Sequence, residues 1–129
     1  MEKIRLTFRR EERLKSAKAI ASLFQDGNTA LVYPLKIVWK SYPLETTSPV
    51  QAAFSVSIKI FRKSTVRNLL KRRMREAFRL NKNEFSAGLG ENKIILMFIY
   101  IGKEETDYAR IEKSVISGLK KIIRKLQSE

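Results

Sequence analysis

The segment STVRNLLKRRMREAFR, residues 64–79, combines an apolar stripe with a dense row of positive charge. At 100° per residue, one sector of a helix holds Val66, Leu70, Met74 and Ala77, with Leu69 and Leu80 at its margin. The opposite sector holds Arg67, Asn68, Lys71, Arg72, Arg75 and Arg79. The pattern predicts a helix that packs on a sheet through its apolar stripe and leaves its charged side open.

The charged side of this predicted helix is almost free of acids, since Glu76 is the only one between Lys59 and Lys82. A solvated helix face normally mixes signs, because like charges four residues apart destabilise a helix. Arginine binds two phosphate oxygens at once, and asparagine can donate to phosphate or sugar. The charge row therefore favours a nucleic-acid backbone as the partner, with an ordinary solvated face as the alternative.

The whole chain shares this bias: its 129 residues include 27 Lys and Arg against 13 Asp and Glu, a net charge of +14. Such self-repulsion indicates a polyanionic partner, either nucleic acid or an anionic membrane surface. Membrane binding needs large apolar side chains exposed beside the lysines, whereas this apolar stripe is needed for the core. The absence of cysteine and histidine excludes a disulfide, a zinc knuckle, a cysteine nucleophile and a Ser-His-Asp triad.

The length predicts a single domain over residues 1–129. Residues 1–14, MEKIRLTFRREERL, mix charge with scattered apolar residues and predict an irregular basic arm. The longest apolar run, residues 94–101, is less than half of a membrane-spanning helix, and the N-terminus lacks an apolar signal core. We therefore expect an unexported, cytoplasmic protein that does not contact a membrane.

The first half of the chain predicts a helix and two strands. Residues 15–27, KSAKAIASLFQDG, predict a helix that Ser16 caps and Gly27 ends. Two alternating segments, PLKIVWKSY at 34–42 and QAAFSVSIK at 51–59, predict strands that pair as a β-hairpin. One face of the second strand would hold Phe54, Val56 and Ile58.

The second half predicts a covered strand between two helices. After the basic helix comes a polar, glycine-containing loop at 81–92, and then KIILMFIYI at 93–101, which is apolar on both faces and predicts a central strand. The final helix, over about Asp107 to Gln127, is amphipathic. These elements together predict an α+β fold, a two-layer sandwich of one sheet packed with helices.

The basic helix also carries a family resemblance. RKSTVRNLLKRRMREAFR, residues 62–79, resembles the signature of the protein subunit of bacterial ribonuclease P: Arg-Asn-Arg, any residue, Lys-Arg, two apolar residues, Arg. The matching positions are Arg67, Asn68, Lys71, Arg72 and Arg75. ERLKSAKAIASLFQDG, YPLKIVWKSY and AFSVSIK are similar, in the same order, to the family's opening helix, its first long strand and the strand before the basic helix.

One position departs from the signature. Leu69 stands where the family has its second arginine, while Arg73 stands where the family has an apolar residue. The two positions are one helical turn apart, so one hypothesis is that Arg73 reaches back to supply the lost guanidinium and Leu69 fills the apolar place. The alternative is the simple loss of one RNA contact.

The resemblance implies a fold and a function. The fold would be a mixed sheet of about four strands with three helices and a left-handed βαβ crossover, as in the ribosomal protein S5 domain 2-like fold. This handedness runs against the general rule for such units. The function would be to assist a catalytic RNA, which holds Mg²⁺, in removing the 5′ leader from precursor tRNA, with no further protein partner required.

The resemblance also implies two sets of site residues. The basic helix would bind the catalytic RNA through Arg67, Asn68, Lys71, Arg72, Arg73, Arg75 and Arg79. A cleft between the first helix and the sheet would hold the single-stranded leader through Ile20, Phe24, Ile37, Trp39 and Lys59. A core position is an equal alternative for Ile20 and Ile37. The acidic cluster EETD, residues 104–107, is expected to start a helix rather than to bind metal.

Two other classes of protein remain open at this point. A non-catalytic RNA-binding protein of ribosomal type would share the basic helix and the sheet, and it would also bind RNA in a salt-dependent way. A sequence-specific DNA-binding protein would need a recognition helix within a compact helical unit, but here the basic helix lies between two predicted strands.

Overall fold

The computed structural model describes residues 8–128, which form one four-stranded sheet and three helices. After a 3-10 turn at Arg10–Glu12, the elements are α1 (Ala17–Asp26), β1 (Asn28–Val32), β2 (Leu35–Ser41), β3 (Val50–Val56), α2 (Ser64–Gly88), β4 (Ile94–Tyr100) and α3 (Tyr108–Gln127). The strand order is β1-β2-β4-β3, with β3 and β4 parallel and the other pairs antiparallel. The predicted α+β fold with a mixed sheet is confirmed.

Strand β4 occupies the centre of the sheet, as its doubly apolar sequence predicted. Six of its seven residues are buried, because α2 and α3 cover one face and α1 crosses the other. The predicted hairpin between β2 and β3 is wrong, since β4 lies between them and the hairpin joins β1 to β2. A strand that is apolar on both faces is most stable at the centre of a sheet, with a neighbouring strand on each side. The connection at residues 42–49 is long enough to cross β4 and join β2 to β3.

Helix α2 is longer than predicted. The polar loop expected at 81–92 is wrong, because the helix continues to Gly88 and only then turns through Gly90, whose φ is +62°. Phe85 and Leu89 are buried in the main core, and this apolar packing outweighs the polar composition of the segment. Ile58, expected on the inner face of β3, instead follows the strand and is 63% exposed.

The connection from β3 through α2 to β4 is left-handed, as the resemblance implied. The Ala52 side chain points to the α2 face, and its carbonyl oxygen accepts from the Leu14 amide at the outer edge of β3. Viewed from α2 with β3 running upward, an L-residue whose side chain faces the viewer has its carbonyl group on the right. The Leu14 segment therefore lies to the right of β3, and β4 lies to its left. The path over α2 therefore turns left, and it buries Leu70, Met74 and Ala77 on the sheet.

The N-terminal segment was expected to be an irregular arm, but residues 8–14 are packed. Phe8 contacts the rings of Phe54 and Phe78, with centroids 5.7 and 6.1 Å apart. Leu14 is buried, and Glu12 forms an ion pair with the buried Lys82. Because β3 is an edge strand, its open side is available to pair and pack with this segment. Residues 1–7 of the predicted arm lie outside the described residues.

The helix ends agree with the capping residues in the sequence. The Ser16 side chain accepts from the Ala19 amide at the start of α1, and Asp107 accepts from the Arg110 amide at the start of α3. Gly27 ends α1, where an added Cβ would clash with the Leu23 carbonyl oxygen. The predicted start of the last helix within EETD is therefore confirmed.

Candidate RNA-binding surfaces

The outer side of α2 presents unpaired positive charge. Asn68, Arg72 and Arg75 are exposed and Lys71 is half-buried, on the side opposite the buried Leu70. Within residues 8–128, neither Lys71 nor Arg72 has an ion pair or a side-chain hydrogen bond. These side chains thus keep their donors available for another molecule.

Arg75 is held at the margin of this surface. Its guanidinium carbon lies 5.8 Å from the ring centroid of Phe54, over the edge strand β3. Arg13 lies at the same distance from the ring of Phe8, which contacts Phe54. Cation–π contacts restrain these arginines while leaving their N–H groups free to donate. The positive surface therefore extends from α2 toward the N-terminal segment.

Arg67 and Arg79, both predicted to bind RNA, form side-chain hydrogen bonds within the protein. Arg67 donates from Nη1 to the carbonyl oxygens of Phe61 and Arg62, each at 2.8 Å. Arg79 donates from Nε to Glu76 at 3.0 Å. This hydrogen bond lowers the pKa of Glu76 and raises the pKa of Arg79. The charge of Arg79 is thus partly neutralised, and Arg67 shapes the turn before α2.

Arg73 points to the loop between β4 and α3. Its Nη1 donates to the Thr106 carbonyl oxygen at 2.7 Å and lies 3.5 Å from Glu105 Oε1. The hydroxyl of Tyr100 lies 2.6 Å from both the Glu104 carbonyl oxygen and Thr106 Oγ1. These contacts fix the loop against α2. The hypothesis that Arg73 replaces the missing arginine at position 69 stays a prediction, and binding RNA would require Arg73 to release the loop.

The prediction that two strand residues, Ile37 and Trp39, line the leader cleft is wrong. Ile37 is fully buried and Trp39 is 3% exposed, and both belong to the core beneath α2 and α3. The face of β2 that α1 crosses is the other one, formed by Lys36, Val38 and Lys40. Because side chains alternate along a strand, an offset of one residue moves the whole set to the opposite face.

The cleft is formed by one flank of α1 and the end of the sheet that α1 leaves uncovered. Lys40 Nζ bonds Ser22 Oγ at 2.7 Å and Asp26 Oδ1 at 2.6 Å, which places that flank of α1 over one end of β2. The opposite flank of the helix carries Ile20, half-buried, and Phe24, 60% exposed. These two predicted cleft residues therefore border the open end of the sheet.

The floor of this open end contains residues that the sequence analysis missed. The strand register places Lys36 opposite Ile99, and Ile99 opposite Ser55, with Leu31 on the other side of Lys36. Leu31 is 59% exposed, and the other three are partly exposed. The alternation of Lys36, Val38 and Lys40 with Leu35, Ile37 and Trp39 marks this face in the sequence, but it does not indicate that α1 covers only part of it.

Lys59 lies in the turn that follows β3, at the same end of the sheet as this floor. Its side chain is exposed, and its backbone amide bonds Ser57 Oγ at 3.2 Å. Arg62 and Lys63, also exposed, lie in the same connection to α2. This cationic turn joins the cleft to the start of the basic helix.

The described residues, 8–128, lack two kinds of feature. In that part of the chain, no helix is long and apolar enough to cross a membrane. The same residues contain no group of three or more acidic side chains placed to hold a metal ion.

Comparison with known proteins agrees with this architecture. A sequence model described as Ribonuclease P matches residues 8–123. The ribonuclease P protein component of Porphyromonas gingivalis is 31% identical over 115 residues, which cover 88% of this chain and 84% of the relative. That of Chlorobaculum tepidum is 36% identical over 100 residues, covering 70% and 65%.

Solved structures show the same fold. The ribonuclease P protein of Staphylococcus aureus superposes with a TM-score of 0.69 at 18% identity, covering 86% of this chain and 94% of that one. The protein from Thermotoga maritima gives a TM-score of 0.67 at 23% identity, covering 85% and 96%.

The sheet, its helices and the exposed cations of α2 define an RNA-binding protein of the α+β class. The chain belongs to the bacterial ribonuclease P protein family, as the family match over residues 8–123 and the relatives establish. Its function is that of the accessory subunit of the enzyme that matures tRNA 5′ ends, in partnership with the ribonuclease P RNA and the tRNA substrate. The readings as a ribosomal-type or DNA-binding protein are thereby set aside.

Proposed function

We propose that the protein binds the catalytic RNA through the outer side of α2 and, at the same time, the single-stranded 5′ leader of precursor tRNA through the α1 cleft. The observation that carries this proposal is the separation of the two surfaces. α2 packs on one face of the sheet, while α1 crosses the other. Two RNA segments can therefore occupy the protein without competing for the same side chains.

Contact with the catalytic RNA is assigned to Asn68, Lys71, Arg72 and Arg75, with Arg67 and Arg79 in supporting positions. The first four project from one side of a rigid helix and meet a phosphate backbone without first breaking an ion pair within the described chain. Each phosphate neutralised releases counterions, so the affinity should fall steeply as salt rises. Arg73 joins this set only by exchanging its bond to Thr106 for one to RNA.

Contact with the leader is assigned to Ile20 and Phe24, with Lys36 and Lys59 as phosphate partners. Phe24 offers an exposed ring on which a base can stack, and such stacking is worth roughly 1 to 3 kcal/mol per base. Ile20 offers an apolar contact but no ring. Stacking and phosphate contacts tolerate many sequences, which suits an enzyme that must process many different precursors.

We also propose that the Mg²⁺ needed for cleavage is held by the RNA subunit, not by this chain. The protein contributes cations and a stacking surface that orient the substrate, and the metal supplies the activation of the attacking water. The assembly would act in the cytoplasm, away from membranes and without a further protein partner. The excess of Lys and Arg over acids supports a positioning role beside RNA.

The test is single-turnover cleavage of a precursor tRNA by the cognate catalytic RNA at low magnesium, with and without the protein. We expect the protein to raise the cleavage rate at the mature 5′ end, and we expect a precursor with a one-nucleotide leader to lose most of that gain. An unchanged rate, under conditions where the protein binds the RNA, would contradict the proposal.

A pair of variants separates the two surfaces. Arg72→Ala should weaken binding of the catalytic RNA for long and short leaders alike. Phe24→Ala should leave that binding intact and reduce only the gain from a long leader. Equal effects of both variants on both substrates would contradict the separation.

A further inference from the structure

The tip of the β1–β2 hairpin presents an exposed aromatic side chain beside the start of α3. Tyr33 lies in the turn between β1 and β2, and its side chain is 59% exposed. The guanidinium carbon of Arg110 lies 5.9 Å from the centroid of the Tyr33 ring. A ring backed by an arginine and open to solvent is a surface on which a further planar group can stack.

This ring sits on a rigid support. The buried Ser114 donates from Oγ to the Tyr33 carbonyl oxygen at 3.0 Å, which ties the tip to α3. The Ile101 amide donates to the Pro34 carbonyl oxygen at 2.8 Å, which ties the tip to the end of β4. Because the tip is held from both sides, a ligand that stacks on Tyr33 does not first have to order it.

The surroundings of the ring are cationic. A cavity of about 550 Å³ beside Tyr33 is lined by Val32, Arg110, Lys113, Ser114 and Ser117, among others, and none of its lining residues is acidic. Neither Arg110 nor Lys113 forms a side-chain ion pair within residues 8–128. Farther along α3, Lys121 Nζ lies 3.3 Å from the Leu31 carbonyl oxygen. The site combines a ring with phosphate-binding cations, which is the composition of a single-strand RNA contact.

The hairpin tip lies at the same end of the sheet as the open end of the α1 cleft, and its cavity lies around the edge of β1, on the α3 side. Leu31, 59% exposed, lies beside Lys36 in the floor of the cleft and two residues before Tyr33. A strand that leaves Phe24 and crosses Lys36 therefore reaches Leu31 next and then passes around the edge strand β1 to the tip. The residues named along this route, Phe24, Lys36, Leu31 and Tyr33, include no acid that would repel a phosphate backbone.

We propose that Tyr33, Arg110 and Lys113 form an additional subsite that takes an unpaired nucleotide of the 5′ leader, upstream of those held at Phe24. The base stacks on the free face of Tyr33, and the phosphate is bound by Arg110 or Lys113. This inference rests on the proposed function of the α1 cleft. It predicts that the protein follows the leader farther than the cleft alone would.

The experiment measures the affinity of the assembled enzyme for precursors whose leaders range from one to about twelve nucleotides. Tyr33→Ala is compared with Tyr33→Phe, which keeps the ring, and thermal unfolding confirms that both variants fold. We expect Tyr33→Ala to weaken binding of long leaders about fivefold or more, the loss of one stacked base, with no change for the shortest leader. Tyr33→Phe should match the unmodified protein.

The other outcomes overturn the proposal in distinguishable ways. A loss of equal size for all leader lengths would place the Tyr33 contact on the catalytic RNA, and no loss at any length would remove the subsite altogether. Phe24→Ala serves as the reference, because its failure to affect leader binding would instead contradict the cleft assignment. Arg110→Gln should reproduce part of the Tyr33→Ala effect, again only for long leaders.

Discussion

Arg67 donates from Nη1 to the carbonyl oxygen of Phe61 across 2.8 Å, and so ties the first turn of α2 to the turn that precedes it. The same atom reaches the Arg62 carbonyl oxygen. A signature arginine expected to bind phosphate therefore has a structural role in the free protein. It holds in place the connection that carries Lys59, Arg62 and Lys63.

The first prediction compares Arg67 with Arg72. Arg72→Ala should leave the free energy of unfolding unchanged and lower the salt dependence of RNA binding by about one phosphate contact, because Arg72 is exposed. Arg67→Ala should weaken RNA binding and also destabilise the fold by about 1 kcal/mol, because two carbonyl groups lose their donor. Thermal unfolding and salt titrations of RNA affinity measure both effects. An Arg67→Ala protein as stable as the unmodified one would contradict the structural role.

The second prediction concerns the buried pair of Lys82 and Glu12. Lys82 Nζ lies 2.6 Å from Glu12 Oε2, with side chains only 9% and 14% exposed. Lys82→Met should destabilise the protein by about 3 kcal/mol, since it leaves a carboxylate in the core without this cation. The double change with Glu12→Gln should recover part of the loss. Chemical denaturation measures the difference.

A matched control for this pair is the ion pair of Lys40 and Asp26. It has a similar N–O distance of 2.6 Å, but the Asp26 side chain is 68% exposed. Asp26→Asn should therefore cost less than about 1 kcal/mol. If both ion pairs proved equally weak, the docking of residues 8–14 would not depend on the buried charge.

The third prediction separates cleft from core. Phe24→Ala should lower the affinity for long leaders without changing stability, because the ring is 60% exposed. Trp39→Ala should destabilise the fold by about 3 to 5 kcal/mol, because the indole is buried under α2 and α3. Leader binding by the fraction that remains folded should be unchanged. A Trp39→Ala protein that is stable but defective in leader binding would restore the original assignment of Trp39 to the cleft.

The fourth prediction addresses the departure at position 69. If Arg73 supplies the missing guanidinium, Arg73→Leu should lower the affinity for the catalytic RNA by more than loosening of the 104–107 loop can explain. Thr106→Ala removes the bond between the Thr106 and Tyr100 hydroxyl groups, which loosens the same loop without removing the cation, and is the control. An Arg73→Leu protein with unmodified affinity would show that Arg73 serves only to hold Thr106.

The fifth prediction is a pH effect at Tyr108. Burial, together with the adjacent Glu112 carboxylate, raises the pKa of Tyr108 to about 12, and its hydroxyl donates to Glu112 at 2.9 Å. A tyrosine whose pKa is raised on folding contributes stability that is complete below its unfolded value, about 10, and is lost as pH rises through its folded value. The stability difference between the unmodified protein and Tyr108→Phe should therefore be constant up to about pH 10 and decline toward pH 12. A difference that does not change over this range would contradict the raised pKa of Tyr108.

Much of the fold could be predicted because its local signals are strong. Ser16 and Asp107 act as helix caps, the apolar stripe through Leu70 and Met74 is buried, and the run 94–101 forms the central strand. Each of these depends on near neighbours in the chain and on a clear periodicity. The α+β class and the charged side of α2 follow from the same information.

The predictions that were wrong concern contacts between segments that lie far apart in the chain. The pairing of β4 between β2 and β3, the extension of α2 through Phe85 and the docking of residues 8–14 all depend on contacts that local patterns do not contain. β1 lacked a distinct signal, since Asn28–Val32 is short and mostly exposed. Packing energy decides such cases, because it outweighs local propensity.

The sequence by itself determined the chemistry: a basic helix with an apolar back, a chain without cysteine or histidine, and a signature shared with the ribonuclease P proteins. Only the tertiary structure decided which of these side chains are exposed on the two proposed RNA-binding surfaces. Ile37 and Lys36 are adjacent in a strand, yet one is core and the other lines the cleft, because α2, α3 and α1 cover opposite faces of the sheet. Likewise, Arg67 and Arg72 look equivalent in the sequence. They differ in the structure because Arg67 donates to carbonyl oxygens of the turn before α2.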